Sequence, residues 1–207
     1  MRATKRALDV VASAAGLVAL APLGVVVAAA VKADGGPVFF RQERVGRHGR
    51  PFRIWKFRTM VVNAERLGPG ITGADDPRIT RVGRWLRRTK IDELPQLLNV
   101  FLGEMSLVGP RPELARYVAR YSAAERAVLD HVPGITDPAS LHYADEEGLL
   151  ARVTDRESHY VEVIMPDKIR RNLAYAVHAT TWSDCRVLLA TVALPFRRVV
   201  APVEALP

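Results

Sequence analysis

Between Asp9 and Lys32 the chain carries no ionisable residue, and those 22 positions, Val10 to Val31, constrain the fold more than any other stretch. As one helix they would be about 33 Å long, enough to cross a hydrocarbon core. A basic start, an apolar middle and small residues near Ala33 fit a signal peptide, and the length fits a straight transmembrane helix. Charge argues against both. Lys5 and Arg6 precede the run, while Lys32, Arg41, Arg44 and Arg47 follow it. Basic flanks stay on the cytoplasmic side, so a single crossing would send one flank to the wrong face. Pro22 lies near the middle, where it removes a backbone hydrogen bond and clashes with the Val18 carbonyl. A break at Ala21–Pro22 would return both ends to one face as a re-entrant helix over residues 1–36. A kinked helix that still spans is the equal alternative.

The remainder, residues 37–207, is long enough for one domain with a core. Net charge is +8, and the excess sits in residues 41–90, where fourteen Arg or Lys face four acids, a local +10. Such a patch wants phosphates, on nucleic acid, anionic lipid or a nucleotide. A composition 49% hydrophobic and 25% charged excludes a disordered tail. The single Cys185 excludes an internal disulfide. The five histidines lack zinc-ligand spacing.

Chemistry concentrates at Asp92-Glu93, just ahead of Leu94, Leu97, Leu98 and Phe101, which recur at helical spacing. Asp is a favoured N-cap and Pro95 is tolerated in a first turn, so the pair is expected at a helix N-terminus. Taken alone, a cap and a first-turn acid would be the ordinary reading. Here Arg78, Arg81, Arg84, Arg87, Arg88 and Lys90 lie upstream, and Gly109-Pro110-Arg111-Pro112 lies downstream. Two acids amid that many cations suggest a divalent metal and a multiply charged anion. Held between Pro110 and Pro112, Arg111 is stiff, and its guanidinium suits bidentate phosphate contact.

Elsewhere, residues 37–46 read as a strand entering a turn, and Phe52 to Arg58 alternates as a half-buried strand. Ile79 to Leu86 reads as a basic amphipathic helix suited to an anionic membrane surface. Pro112 to Asp130 and Asp167 to Val177 read as helices. Asp145, Glu146 and Glu147 read as a solvated helix face. Val187 to Val200, ending near Arg197-Arg198, reads as an interfacial helix or as core.

Seven segments, in order, resemble the bacterial sugar transferases, the small monotopic polyprenyl-phosphate phosphoglycosyl transferases. They are Lys5-Arg6 with Asp9; the apolar run with its Pro; Lys56-Phe57-Arg58-Thr59-Met60; Asp76-Pro77-Arg78-Ile79-Thr80; Asp92-Glu93-Leu94-Pro95-Gln96-Leu97; Gly109-Pro110-Arg111-Pro112; and Pro133-Gly134-Ile135-Thr136. The resemblance implies transfer of a sugar-1-phosphate from a UDP-sugar to a polyprenyl phosphate, with undecaprenyl phosphate expected and UMP released. It implies Asp92 as nucleophile, Glu93 with Asp92 as ligands of Mg²⁺ or Mn²⁺, and Lys56, Arg58, Arg88, Pro110, Arg111 and Pro112 as substrate contacts. Membrane lipids, downstream glycosyltransferases and a second copy of the chain are the expected partners, with no nucleic acid. The expected place is the cytosolic face of the bacterial inner membrane, at the first membrane step of surface-glycan synthesis. The fold expected is α+β and mostly helical, a re-entrant helix plus interfacial helices and a small cytosolic catalytic domain.

The chain departs from the family pattern in places. Ala21 replaces the Ser common before the membrane Pro, and Lys90 stands where Ser is common. After Thr136 it runs Asp137-Pro138-Ala139-Ser140-Leu141-His142 with a longer acidic insert, a region expected to shape the sugar pocket. The larger relatives carry an N-terminal membrane bundle, for which no room is expected here. Two other function classes compete. A membrane-anchored nucleic-acid-binding protein would explain the charge but not the acid pair or the two Pro-rich turns. A non-catalytic scaffold of the same fold would be expected to lack the acid pair, which is intact.

Overall fold

The computed structural model describes residues 3–67, 73 and 76–194. Helix α1 spans Ala3–Ala33 and is long and apolar enough to cross a membrane. It stays helical through Ala21–Pro22, so the expected interruption of helical conformation is not observed there. Asp9, Ser13, Val27 and Val31 are buried on it, and Gly16, Leu20 and Leu23 are partly buried between them. These positions recur every three or four residues, so one seam faces the rest of the protein on both sides of Pro22. Pro22 itself is on the exposed face, where a missing N–H is least costly. Val18, Val25 and Val26 also point outward.

Two small sheets follow. Strands β1 (Phe39–Val45) and β2 (Pro51–Phe57) form an antiparallel hairpin, with Phe39 opposite Phe57 and Phe40 opposite Lys56. Strands β3 (Ser106–Val108) and β4 (Gly134–Thr136) pair in parallel, Ser106 with Gly134 and Val108 with Thr136. Helix α2 (Arg81–Thr89) opens on Thr80, whose hydroxyl accepts from the Gly83 N–H at 2.9 Å. Gly83 is required there, because a Cβ would sit 2.0 Å from the Thr59 carbonyl oxygen. The expected basic helix is thus present, with Trp85 half exposed.

Helix α3 (Gln96–Leu102) packs against α1, where a Cβ on Gly16 would lie 3.1 Å from Leu97. The stretch expected as one helix from Pro112 to Asp130 is instead α4 (Ala115–Val118) and a separate 3₁₀ segment, Glu125–Asp130. A reciprocal cap divides them: Ser122 N–H donates to Glu125 at 2.7 Å and Glu125 N–H donates to the Ser122 hydroxyl at 3.3 Å. Short helices α5 (Pro138–His142), α6 (Glu146–Ala151) and α7 (Arg156–His159) lead into a π turn, Tyr160–Ile164, and then α8 (Met165–His178). Pro166, unable to donate in the first turn of α8, accounts for the widened turn before it. The last helix among the described residues, α9 (Thr181–Ala193), begins at a Thr180–Ser183 capping box. Arg197-Arg198 of the expected terminal segment lie outside the described residues.

The larger core gathers Tyr117, Val118, Tyr121, Val128, Leu150, Tyr160, Ile164, Met165 and Ile169. A second cluster joins Val27 and Val31 of α1 to Phe57 and Leu86. Polar contacts tie the other end of α1 down. Arg6 donates to the Val100 and Phe101 carbonyls at 2.6 and 2.8 Å, and Asp9 accepts from the Leu107 N–H at 3.1 Å. Lys5 pairs with Asp184 of α9. Both ends of α1 are therefore held by the same domain.

Candidate active site

Asp92 and Glu93 sit in a single 3₁₀ turn, Ile91–Glu93, between α2 and α3. Lys90, in the left-handed region at φ 58°, ends α2 and turns the chain into it. Asp92 does not cap a helix, as the sequence suggested; α3 starts at Gln96 behind Pro95, one turn later. The carboxylate of Asp92 is buried, 6% exposed, and its Oδ1 has no hydrogen-bond partner among the described residues.

Glu93 is clamped. Arg111 donates through Nη1 to Oε2 at 3.0 Å and through Nη2 to Oε1, and Lys56 Nζ donates to Oε1 at 2.8 Å. These three residues come from a 3₁₀ turn, a loop and a strand. Backbone contacts hold the loop at both ends. Gly134 N–H donates to Pro110 O at 2.9 Å and Gly109 N–H to Thr136 O at 3.0 Å. Arg44 reaches Pro112 O at 3.2 Å, and Val45 N–H donates to Glu113 O at 2.9 Å. The two glycines meet backbone to backbone, since a Cβ on Gly134 would lie 2.1 Å from the Gly109 nitrogen. That explains why the Gly-Pro-Arg-Pro and Pro-Gly-Ile-Thr segments occur together.

Asn99 positions the strand. Its Oδ1 accepts from the Trp55 N–H at 3.0 Å, and its Nδ2 donates to Arg53 O at 2.9 Å and to Glu104 at 2.7 Å. The fully buried Asn99 thereby locks α3 to β2 beside Lys56. Sequence reasoning missed it, although a polar residue within an apolar helical stripe was the available signal.

The electrostatics divide the two acids. Burial pushes the Asp92 carboxyl up to about 6; the Lys56 ammonium draws it back and the Glu93 carboxylate adds to the rise. Burial alone would also raise Glu93, but Arg111 and then Lys56 outweigh it and hold that carboxyl well below the usual range. Burial lowers Lys56, against the pull of Glu93. Glu93 raises Arg111. One acid is thus held ionised by its paired cations, and the other has an unpartnered oxygen and a carboxyl raised by burial.

The remaining expected contacts lie differently. Arg58 turns away from the pair and donates to the carbonyls of Val31, Gly35, Pro37 and Met60, closing the connection from α1 to β1. Arg88 is exposed on α2. Its neighbour Arg87 is the one whose charge bears on Asp92, together with Lys90. Of the three acids expected as a solvated face, Asp145 is exposed, while Glu147 pairs with Arg87 and Glu146 with Lys168. Among the described residues no group of three or more His, Cys, Asp or Glu could hold a metal.

A seven-part order of motifs now has a geometry in which three of the parts converge on one carboxylate pair. The sequence profile of the bacterial sugar transferases matches residues 1–198. The chain belongs to that family. It is 40% identical over 91% of its length to the UDP-glucose:undecaprenyl-phosphate glucose-1-phosphate transferase of Caulobacter vibrioides, covering 68% of that protein. It is 37% identical over 77% of its length to the exopolysaccharide production protein ExoY of Sinorhizobium fredii, covering 77% of it. Against the undecaprenyl-phosphate glucose phosphotransferase of Komagataeibacter xylinus it is 39% identical over 91% of its length. The chain spans only 35% of that longer relative and 41% of the galactosyl transferase CpsE of Streptococcus agalactiae.

Proposed function

We propose that this sugar transferase moves a sugar-1-phosphate from a UDP-sugar to a polyprenyl phosphate, through a covalent intermediate on Asp92. The observation that carries the reading is the buried Asp92 Oδ1 without a partner, beside a Glu93 neutralised by Arg111 and Lys56. A structural carboxylate at that burial would be hydrogen-bonded; a nucleophile needs an oxygen whose lone pairs are not committed to a partner. In the first step an Asp92 oxygen bonds to the phosphorus bearing the sugar. The phosphoanhydride bond breaks and its electron pair leaves with UMP. In the second, a phosphate oxygen of the polyprenyl phosphate attacks the acyl phosphate, restoring the carboxylate and yielding polyprenyl diphosphate sugar.

Two carboxylates are few for a metal on protein alone, but Mg²⁺ commonly takes one or two carboxylates and completes its shell with substrate phosphates. Asp92 Oδ1 is a free carboxylate oxygen of that kind, whereas both Glu93 oxygens are engaged by Arg111 and Lys56, so Glu93 would join the shell only by giving up one of those contacts. Bound there, the ion would neutralise the diphosphate. Arg111 and Lys56 orient Glu93, and Arg111, 31% exposed on its side chain, retains an open edge for an anion. The membrane-embedded acceptor needs the site at headgroup depth, and the seam and end contacts of α1 support this. A straight crossing would carry one end of α1 away from the domain that both ends touch. A re-entrant or in-plane α1, with the domain on the cytosolic face of the inner membrane, is the reading those contacts favour.

The test is intact-protein mass after incubation with a labelled UDP-sugar and no acceptor. A sugar-phosphate adduct on Asp92, with UMP released, is expected. Kinetics requiring a ternary complex, with no adduct at any time, would leave Asp92 as a base for direct transfer instead.

A further inference from the structure

Behind the Gly-Pro-Arg-Pro loop lies a cavity of about 370 Å³, framed by the start of α1, the end of α8, the start of α9 and the segment leading into β4. That volume suits a small-molecule site. Gly109 and Pro110 form one wall, yet neither the acid pair nor Lys56 nor Arg111 is among the described residues that line it. The loop that carries Arg111 thus sets this space off from the acid pair.

The polar groups of the cavity define what would fill it. Asn172 is 6% exposed, and its Oδ1 has no hydrogen-bond partner among the described residues. A buried amide oxygen in that state calls for a donor. Two buried carboxylates stand nearby in the lining. Asp137 accepts from the Ser140 N–H at 2.9 Å and from its hydroxyl at 2.6 Å, and Asp184 accepts from the Tyr175 hydroxyl at 2.6 Å and from Lys5. Each of these oxygens keeps a lone pair for a further donor. The cations are already engaged, Lys5 by Asp184 and Arg47 by the Asp130 carbonyl at 2.9 Å. A phosphate would therefore meet acids ahead of cations, and an ammonium would meet Lys5. Neutral hydroxyls satisfy the acceptors without either repulsion. Val108, Pro110, Val132 and the Tyr175 ring supply apolar surface for the C–H face of a sugar ring. We propose that this cavity binds a neutral saccharide, with Asn172 and Asp137 accepting from its hydroxyls. The ring is that of the sugar nucleotide or that of a free or glycan-borne sugar, which share this chemistry. The proposal goes beyond the transferase reading, because binding of a sugar alone requires no turnover.

The test is ligand-detected NMR binding to the full chain in nanodiscs, where no glycoside detergent competes. The probes are glucose, galactose, N-acetylglucosamine, UDP and the matching UDP-sugars. Wild type is compared with Asn172→Ala and with Ala176→Phe, which fills the cavity from α8 without removing a hydrogen bond. At least one free sugar is expected to bind wild type with Kd on the order of 1 mM, and both variants should weaken it about ten-fold or more. UDP binding should be unchanged in both. If the matching UDP-sugar weakens by the same factor, the ring is that of the nucleotide; if it does not, the sugar binds on its own. Failure of every free sugar to bind, or sugar binding that Ala176→Phe leaves intact, would overturn the proposal. Thermal midpoints are read in parallel, and Ala176→Phe carries the test alone where Asn172→Ala fails to fold. Absence of a sugar-phosphate adduct on Asp92 would reject covalent transfer and leave this binding result standing.

Discussion

Replacing Asp92 by Asn should stabilise the protein while abolishing turnover. Burial raises this carboxyl from 3.8 to about 6, so the folded state holds its proton more tightly than the unfolded chain does. Ionisation therefore costs folding free energy. That cost is absent below about pH 4, grows as pH rises through about 6, and is constant above it. Two units correspond to about 3 kcal/mol, an upper figure because the Asn amide also has to be buried. Asn keeps the shape and never ionises, so a gain of about 1–3 kcal/mol is expected at pH 8. For a chain of this size each kcal/mol moves the midpoint by about 2–4 °C, so the variant should melt roughly 2–12 °C higher. The assay is thermal unfolding of both proteins in the same detergent, without divalent metal, from pH 4.5 to 8.5. The difference should shrink as pH falls below 6. A variant less stable at pH 8, or a difference constant across that range, would refute the argument that an unpartnered ionised Asp92 burdens the fold.

The opposite sign is expected for Glu93→Gln. Its carboxyl is held below the usual range, so it stabilises the fold above about pH 4.5; losing it leaves Arg111 and Lys56 unpaired, and a loss of about 3–5 kcal/mol at pH 7, shrinking toward acid, is the outcome to look for by denaturant titration. Asn99→Ala removes three hydrogen bonds, two of which fix β2, so a drop in stability of about 2–4 kcal/mol should accompany reduced activity; unchanged activity in folded protein would deny Asn99 a part in placing Lys56. With the exposed Cys185 first changed to Ser, single cysteines at positions 6 and 41 should both react only from the cytosolic side in spheroplasts; periplasmic labelling of either would sink the re-entrant placement of α1.

What could be read from sequence was local. The acid pair, the proline-held Arg111 and the strand bearing Lys56 each announce themselves within a few residues. What escaped depended on which faces meet. Arg87 and Arg88 are indistinguishable along the chain, yet the turn of α2 puts one on Glu147 and the other in solvent. Arg58 stands two residues beyond Lys56, yet it donates to the carbonyls of Val31 and Pro37 where Lys56 donates to Glu93. Glu146 and Glu147 read as solvated because their cations, Lys168 and Arg87, are 22 and 60 residues away.

Helix α1 shows the same limit from the other side. Its buried seam, Asp9, Ser13, Gly16, Leu20, Leu23, Val27 and Val31, recurs every three or four residues, so the spacing was present in the sequence. Hydropathy hid it, because the outward-facing alternatives are equally apolar. The informative residues are the three that are not large and apolar. Within a membrane an ionisable or hydroxyl side chain faces protein, and a small residue marks a close helix contact. Asp9 meets the Leu107 N–H, Ser13 is fully buried, and Gly16 abuts Leu97 of α3. Those three contacts fix which face of α1 meets the domain before Pro22, and Val27 and Val31 continue that face beyond it. Pro22 on the opposite side then removes a hydrogen bond only where the helix can bend convexly without losing the seam. The proline thus sets where α1 can bend, and the seam sets what it packs against: chiefly α3, with β2 beside it, the elements next to Lys56 and Asp92–Glu93.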